Sequence, residues 1–152
     1  MNDKLNISIA RREDIPALCI LLDALFTQEA EFKPNLENQQ RGLLKIIENP
    51  QLGFILIAKL DDIAVGMINI LFTVSTALGE RVALLEDMVV AEAYRNGGYG
   101  NAIIEYAIAE ARRQQCKRIT LLTDNTNESA QRFYERHDFV RSSMLPFRLT
   151  LD

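Results

Sequence analysis

Two cysteines and a single histidine in 152 residues leave little from which to build a metal centre or a disulfide framework. Cys19 and Cys116 both sit in apolar helical patterns, where a free thiol behaves as a small hydrophobe. No CxxC or Cys/His spacing marks a zinc site. A cationic excess is also missing: 17 Lys and Arg stand against 21 Asp and Glu, a net charge of -4. Duplex binding needs a cationic face to displace counterions, so nucleic acid is not an expected partner. No apolar run approaches the ~20 residues of a membrane span; Phe54–Ala58 and Ile68–Phe72 are among the longest. The opening Met1-Asn2-Asp3-Lys4-Leu5-Asn6 contains no apolar signal-peptide core. Repeats, low-complexity tracts and Pro/Gly/Ser-rich linkers are lacking as well. The expectation is a cytoplasmic, reduced protein forming one domain over residues 1–152.

What is present suits a packed core. The chain is 48% hydrophobic and 25% charged, the balance of a soluble globular protein rather than a disordered one. Asn6–Ala10 alternates as a first strand. Asp14 then reads as an N-cap with Pro16 in the first turn. Ile15, Leu18, Cys19, Leu22, Leu25 and Phe26 follow the spacing of a buried helical face. A second helix is expected at about Leu36–Glu48, stopped by Asn49-Pro50. Phe54–Leu60 and Val65–Val74 flank the turn Asp61-Asp62 as a hairpin, and Val82–Val90 makes a third long strand. A helix follows the glycines to about Gln115, then a strand at Arg118–Thr123 and a short helix at Glu128–Arg136. Phe139–Arg141 and Phe147–Leu151 read as final strands. The order β-α-α-β-β-β-α-β-α-β-β predicts an α/β fold: a twisted mixed sheet, mostly antiparallel, with helices on both faces.

The most informative segment is Arg95-Asn96-Gly97-Gly98-Tyr99-Gly100-Asn101, where a buried strand runs into a glycine turn that opens a helix. First-turn amides of a helix lack internal partners and carry partial positive charge. Glycines let a phosphate or pyrophosphate approach them. A nucleoside triphosphate site wants a Lys after the glycines, and none follows. A dinucleotide site wants Gly or Ala where Ile103 stands. The pattern R-x-x-G-x-G is met by Arg95, Gly98 and Gly100, and a plain turn between strand and helix stays open beside it.

Leu84-Leu85-Glu86-Asp87-Met88-Val89-Val90 precedes that turn, and Asn127-Glu128-Ser129-Ala130-Gln131-Arg132-Phe133-Tyr134-Glu135-Arg136 follows it. Taken together, the three blocks resemble the GNAT N-acetyltransferase superfamily, and the element order agrees across nearly the whole chain. One departure is Asp138, which stands where the family usually has glycine in an R-x-G-F ending. Asp tolerates the left-handed conformation better than most residues, so the helix end is expected to survive.

The resemblance implies a GNAT-like fold that moves an acetyl group from acetyl-CoA to an amine by direct attack on the thioester, without a metal. Tyr134 matches the family's general acid, whose phenol protonates the leaving thiolate. Glu86 matches a base position. It lies in an apolar strand, where burial would raise its pKa. Its other reading is a carboxylate that binds a cationic substrate without proton transfer. Asp87 is expected on the opposite face, by alternation. The resemblance also assigns the pantetheine arm to the backbone of Met88, Val89 and Val90, at a bulged strand that also polarises the thioester carbonyl. The pyrophosphate goes to the amides of Asn96, Gly97, Gly98, Tyr99, Gly100 and Asn101, with Arg95 adding charge or capping the turn. Asn127 either bonds the cofactor arm or caps its helix. His137, past the tyrosine helix, reads as a surface residue.

The acceptor stays open between a small-molecule amine and a peptide or protein amine. Glu29 and Glu31, between Phe26 and Phe32, could receive a cation or be a solvated loop. Two rival classes remain: a non-catalytic acyl-CoA-binding regulatory module, and a nucleotide-binding interaction domain, which the missing lysine disfavours. Homodimer formation is an expectation from the resemblance alone.

Overall fold

Apolar strand sequences that must bury both faces end up in the middle of a sheet, and the centre of this fold is such a pair. In the computed structural model, which describes residues 4–29 and 32–152, β2 (Gly53–Leu60) and β3 (Ile63–Ser75) form the expected hairpin around a left-handed Asp61. β4 (Glu80–Val90) pairs antiparallel with β3, and β1 (Leu5–Ile9) antiparallel with β2. β5 (Ile119–Leu121) adds parallel to β4, giving the order β1-β2-β3-β4-β5. The mixed, mostly antiparallel sheet predicted from the element order is present.

Each face of the sheet receives its own helices. α1 (Ile15–Gln28) and α2 (Leu36–Ile47) cover one face, where Leu18, Cys19, Leu21, Leu22 and Leu43 pack with Ile55, Ile57, Met67 and Val89. Buried Gln39 ties the two helices together. Its amide nitrogen donates to the Cys19 carbonyl (3.3 Å) and Asp23 (3.0 Å), and its oxygen accepts from the Asn35 amide (2.7 Å). Asp14 precedes α1 but does not cap it with its side chain. Its carboxylate instead accepts from the Arg11 N–H (2.8 Å) and pairs with Lys59 of β2 (2.9 Å). Each carboxylate oxygen is thereby engaged away from the first-turn amides of α1.

The opposite face takes α3 (Tyr99–Arg113), through Ile103, Ile104, Ala107 and Ala111. Gly66 in β3 makes this approach possible. A Cβ there would lie 2.6 Å from Ile103 Cδ1 and 3.1 Å from the Val89 carbonyl oxygen.

Residues 1–122 form one compact unit and residues 123–152 a second. The second contains α4 (Glu128–Arg136), with the boundaries expected from its sequence. Asn127 caps it through Oδ1, accepting from the Ala130 N–H (3.0 Å). At the other end the Phe139 N–H reaches the Tyr134 carbonyl and the Asp138 N–H the Glu135 carbonyl, both at 3.1 Å. Asp138 takes φ +71°. This is the paired hydrogen-bond closure that glycine usually supplies, here carried by aspartate as the sequence suggested. The Phe139 and Tyr134 rings, 5.5 Å apart, complete it.

The final strands expected at Phe139–Arg141 and Phe147–Leu151 are not formed. Alternation such as Phe147-x-Leu149-x-Leu151 records only the side-chain period of a strand; the strand itself exists when a neighbour completes its ladder. No ladder partner engages these residues, and Val140, Met144, Leu145, Phe147, Leu149 and Leu151 are all exposed.

Gly66→Val is expected to force α3 off the sheet and cost about 1–3 kcal/mol as an overpacked core. Urea unfolding checks it; an unchanged midpoint would mean that α3 is not held at this contact.

Candidate functional site

β4 carries one residue more than β3 can pair. Asn69 opposes Asp87 and Ile70 opposes Leu85, so Glu86 is the extra residue of a bulge. Asn69 and Ile70 are neighbours on β3 and face opposite sides. Leu85 and Asp87 therefore do too, although residues two apart on a regular strand share a face. β5 pairs with β4 only over Ala83–Leu85. Beyond the bulge Met88, Val89 and Val90 keep β3 on one side, and on the other β5 has ended.

The bulge changes the environment expected for Glu86. Glu86 is exposed, not buried in its strand. Asp87 is largely covered and accepts a 2.9 Å hydrogen bond from Asn69 Nδ2. Burial pushes the Asp87 pKa up from 3.8 to about 6; the Asn69 bond opposes that, and the negative charge of Glu86 adds to it. Simple alternation cannot anticipate an inserted residue. No motif marks Asn69; the one signal is that it is the polar residue in the run Met67-Ile68-Asn69-Ile70-Leu71. It is 4% exposed, and its Oδ1 has no hydrogen-bond partner.

The chain leaves β4 through a short turn of helix at Glu92–Tyr94 and enters the glycine turn. Arg95 closes it: Nε donates to the Val90 carbonyl (2.9 Å). With the Gln28 amide oxygen turned toward Arg95, it accepts from both terminal guanidinium nitrogens at 3.2 and 3.0 Å. Arg95 thus braces the end of β4 against α1 as well as placing charge at the turn.

Asn96 (φ +67°) and Gly98 (φ +84°) are left-handed. Gly97 leaves room for the Tyr99 ring, which a Cβ would meet at 3.0 Å. Gly98 is the N-cap of α3 and offers no side chain, so no side-chain oxygen caps the helix. Backbone N–H groups gathered where left-handed residues meet a helix start form an anion-binding concavity. The turn therefore fits a pyrophosphate held by amides, with no side chain in competition.

Tyr134 and Asn127 belong to the second unit. Tyr134 is half-buried, its ring 5.2 Å from Phe133. His137 is half-buried against Phe133 at 5.0 Å rather than a solvated surface residue. In the first unit, Phe26 and Phe32 meet at 5.7 Å. Glu31, one of the two acids expected between them, lies outside the described residues. Among the described residues no cluster of three or more His, Cys, Asp or Glu is placed to hold a metal, and no helix is long and apolar enough to cross a membrane.

This arrangement of bulged strand, glycine turn and helix agrees with sequence comparison. The sequence profile of the Acetyltransferase (GNAT) family matches residues 16–139. The chain belongs to the GNAT acetyltransferase family. GNAT acetyltransferases draw the acetyl group from acetyl-CoA, and acyl transfer is the activity this membership supports.

An uncharacterized N-acetyltransferase of Bacillus subtilis (strain 168), YhfO, is 28% identical over 138 residues, covering 89% of both chains. Streptothricin acetyltransferase A from the same organism is 40% identical over 58 residues, 38% of this chain. The match spans about a third (34%) of that relative's length. A possible acetyltransferase from Clostridium difficile 630 shares the fold with a TM-score of 0.88 over 99% of each chain, at 14% identity.

An acid whose pKa is higher folded than unfolded binds its proton more tightly in the folded state. Asp87 therefore favours folding most below pH 3.8. That contribution fades as the pH rises toward about 6, and above it the buried charge costs up to about 3 kcal/mol. Asp87→Asn in this GNAT protein is expected to raise stability above neutral pH, with a gain that shrinks in acid. Thermal unfolding across pH checks it; a variant less stable at all pH values would show that the ionised carboxylate is structural.

Proposed function

We propose that the chain, acting as one domain over residues 1–152, transfers an acetyl group from acetyl-CoA to a primary amine by direct attack on the thioester. The observation that carries this reading is the sequence of features along β4 and α3. The bulge at Glu86 is followed by a stretch that β5 does not pair, and then by a helix start whose amides meet no side-chain cap.

In this reading the amides of Asn96, Gly97, Gly98, Tyr99, Gly100 and Asn101 hold the pyrophosphate, with Arg95 adding positive charge. The β4 edge at Met88, Val89 and Val90 pairs with the pantetheine arm. An amide there polarises the thioester carbonyl. Asn127, already capping α4 through Oδ1, also bonds the arm. Acetyl-CoA supplies an activated acyl carbon with a thiolate leaving group. The amine lone pair forms the new C–N bond as the C–S bond breaks; Tyr134 gives its phenolic proton to the departing sulfur, and the acylated nitrogen loses its second proton to solvent, from which Tyr134 is reprotonated. Glu86, solvent-facing on the bulge, is the carboxylate that meets the incoming ammonium and takes up its proton, directly or through water.

The acceptor is a small-molecule amine, and the name of the B. subtilis streptothricin acetyltransferase makes streptothricin the first compound to try. Calorimetric titration with acetyl-CoA, with ATP and NAD as controls, tests the donor site: saturable binding of acetyl-CoA alone is expected. Thiol release is then followed over a panel of amines including streptothricin. Binding without turnover on any amine would favour a regulatory acyl-CoA-binding module instead.

Tyr134→Phe is expected to lower turnover on the order of 10²-fold or more while leaving acetyl-CoA affinity nearly unchanged. Unaltered turnover in this variant would remove the phenol from the mechanism.

A further inference from the structure

We propose that Asn69 and Asp87 together form the site that receives the acceptor's primary ammonium group, on the sheet face covered by α1 and α2. This deepens the acetyltransferase reading and rests on it. The first ground is hydrogen-bond chemistry. Asn69 spends its amide nitrogen on Asp87 Oδ2, which leaves its own Oδ1 an acceptor without a donor at 4% exposure. A buried acceptor left unpaired is costly and rare. An ionised Asp87 accepts and cannot donate. Two acceptors side by side call for a group made only of donors.

The second ground is charge. The charged side chain that acts on Asp87 is Glu86, also negative. A neutral donor would satisfy the Asn69 oxygen yet leave the carboxylate unbalanced. An ammonium group satisfies both, with three N–H donors, no acceptor and one positive charge in a compact head.

Access is the third ground. Along this face Asn69 lies between Met67, which is fully buried in the core, and Leu71, which is half-buried, with exposed Thr73 beyond. The pair thus stands between the buried core and the more open end of this face. Exposed Glu86 on the same bulge places a second negative charge at the solvent side, which draws a cation toward the pair. The bulge itself sets Asp87 opposite Asn69; had pairing continued regularly from Ile70–Leu85, Glu86 would occupy that register.

The test uses the full-length chain, labelled with ¹³C and ¹⁵N, and n-butylammonium as probe with n-butanol as the neutral isostere. At about pH 8, where Asp87 is ionised, the Asn69 side-chain amide and the Asp87 carboxyl carbon are followed during titration. Butylammonium is expected to shift both resonances saturably, and butanol neither. Asp87→Asn, a variant that keeps the hydrogen bond and the fold, is expected to weaken the probe about tenfold or more. Asn69→Ala is expected to weaken it as well, read at the Asp87 carboxyl.

An absent response, an equal response to butanol, or undiminished binding by Asp87→Asn would overturn the site. Acetyl-CoA is titrated into the same sample as a separate readout. Acetyl-CoA binding without an ammonium response overturns the site and leaves the acetyltransferase reading standing. A specific ammonium response supports the site whichever way the acetyl-CoA titration comes out.

Discussion

One inserted residue in β4 governs the chemistry of this fold. A strand paired on both sides has no free backbone and strictly alternating side chains. The bulge at Glu86 suspends both conditions. Ahead of it, β4 is an interior strand, paired with β3 and β5. After it, the chain keeps only β3, and the released edge runs straight into the glycine turn and the start of α3. The bulge, its two carboxylates, the β4 stretch that β5 does not pair and the start of α3 thus follow one another along a short length of chain.

The remaining packing holds that neighbourhood still. Gly66 lets α3 lie close to β3, which fixes where its N-terminus points. Arg95 is bonded to the Val90 carbonyl and faces the Gln28 amide, so the turn is braced against both β4 and α1. Gln39 locks α1 to α2 and leaves no buried polar atom of its own unpaired. Against this background the unpaired oxygen of Asn69 is the exception. Among the described residues it is the buried side-chain atom without a hydrogen-bond partner, and it lies beside a carboxylate whose charged form burial disfavours.

The legible parts of this structure were those written in local pattern. α4 runs from Glu128 to Arg136 as its sequence indicates, because an Asn cap and an amphipathic period are properties of neighbouring residues. The left-handed Asp138 was likewise foreseeable from side-chain chemistry alone. The illegible parts depend on pairing. A bulge is a mismatch between two strands about twenty residues apart; the family resemblance implies one in β4, but neither strand by itself records which residue it displaces. For that reason the burial expected of Glu86 falls on Asp87 instead, and nothing in the local pattern marks Asn69. Phe147–Leu151 shows the converse failure: a strand-like period with no neighbour to complete it. Asp14 illustrates a third limit. It stands where a cap belongs, but Lys59, 45 residues away, draws its carboxylate elsewhere.

The bulge also sets how this gene can tolerate length change. Residues on either side of Glu86 are in opposite phase: Val89 faces α1 while Leu85 pairs with Ile70 on the other side of the sheet. Deleting the Glu86 codon would restore regular pairing to the ladder and leave Val82, Ala83, Leu84 and Leu85 on the faces they already occupy, because Leu85 and Asp87 would become ordinary alternating neighbours. A loop absorbs such a deletion. In β4 the packed faces would absorb it as well, and the loss would fall on the bulge alone, with the exposed carboxylate that Glu86 carries on it.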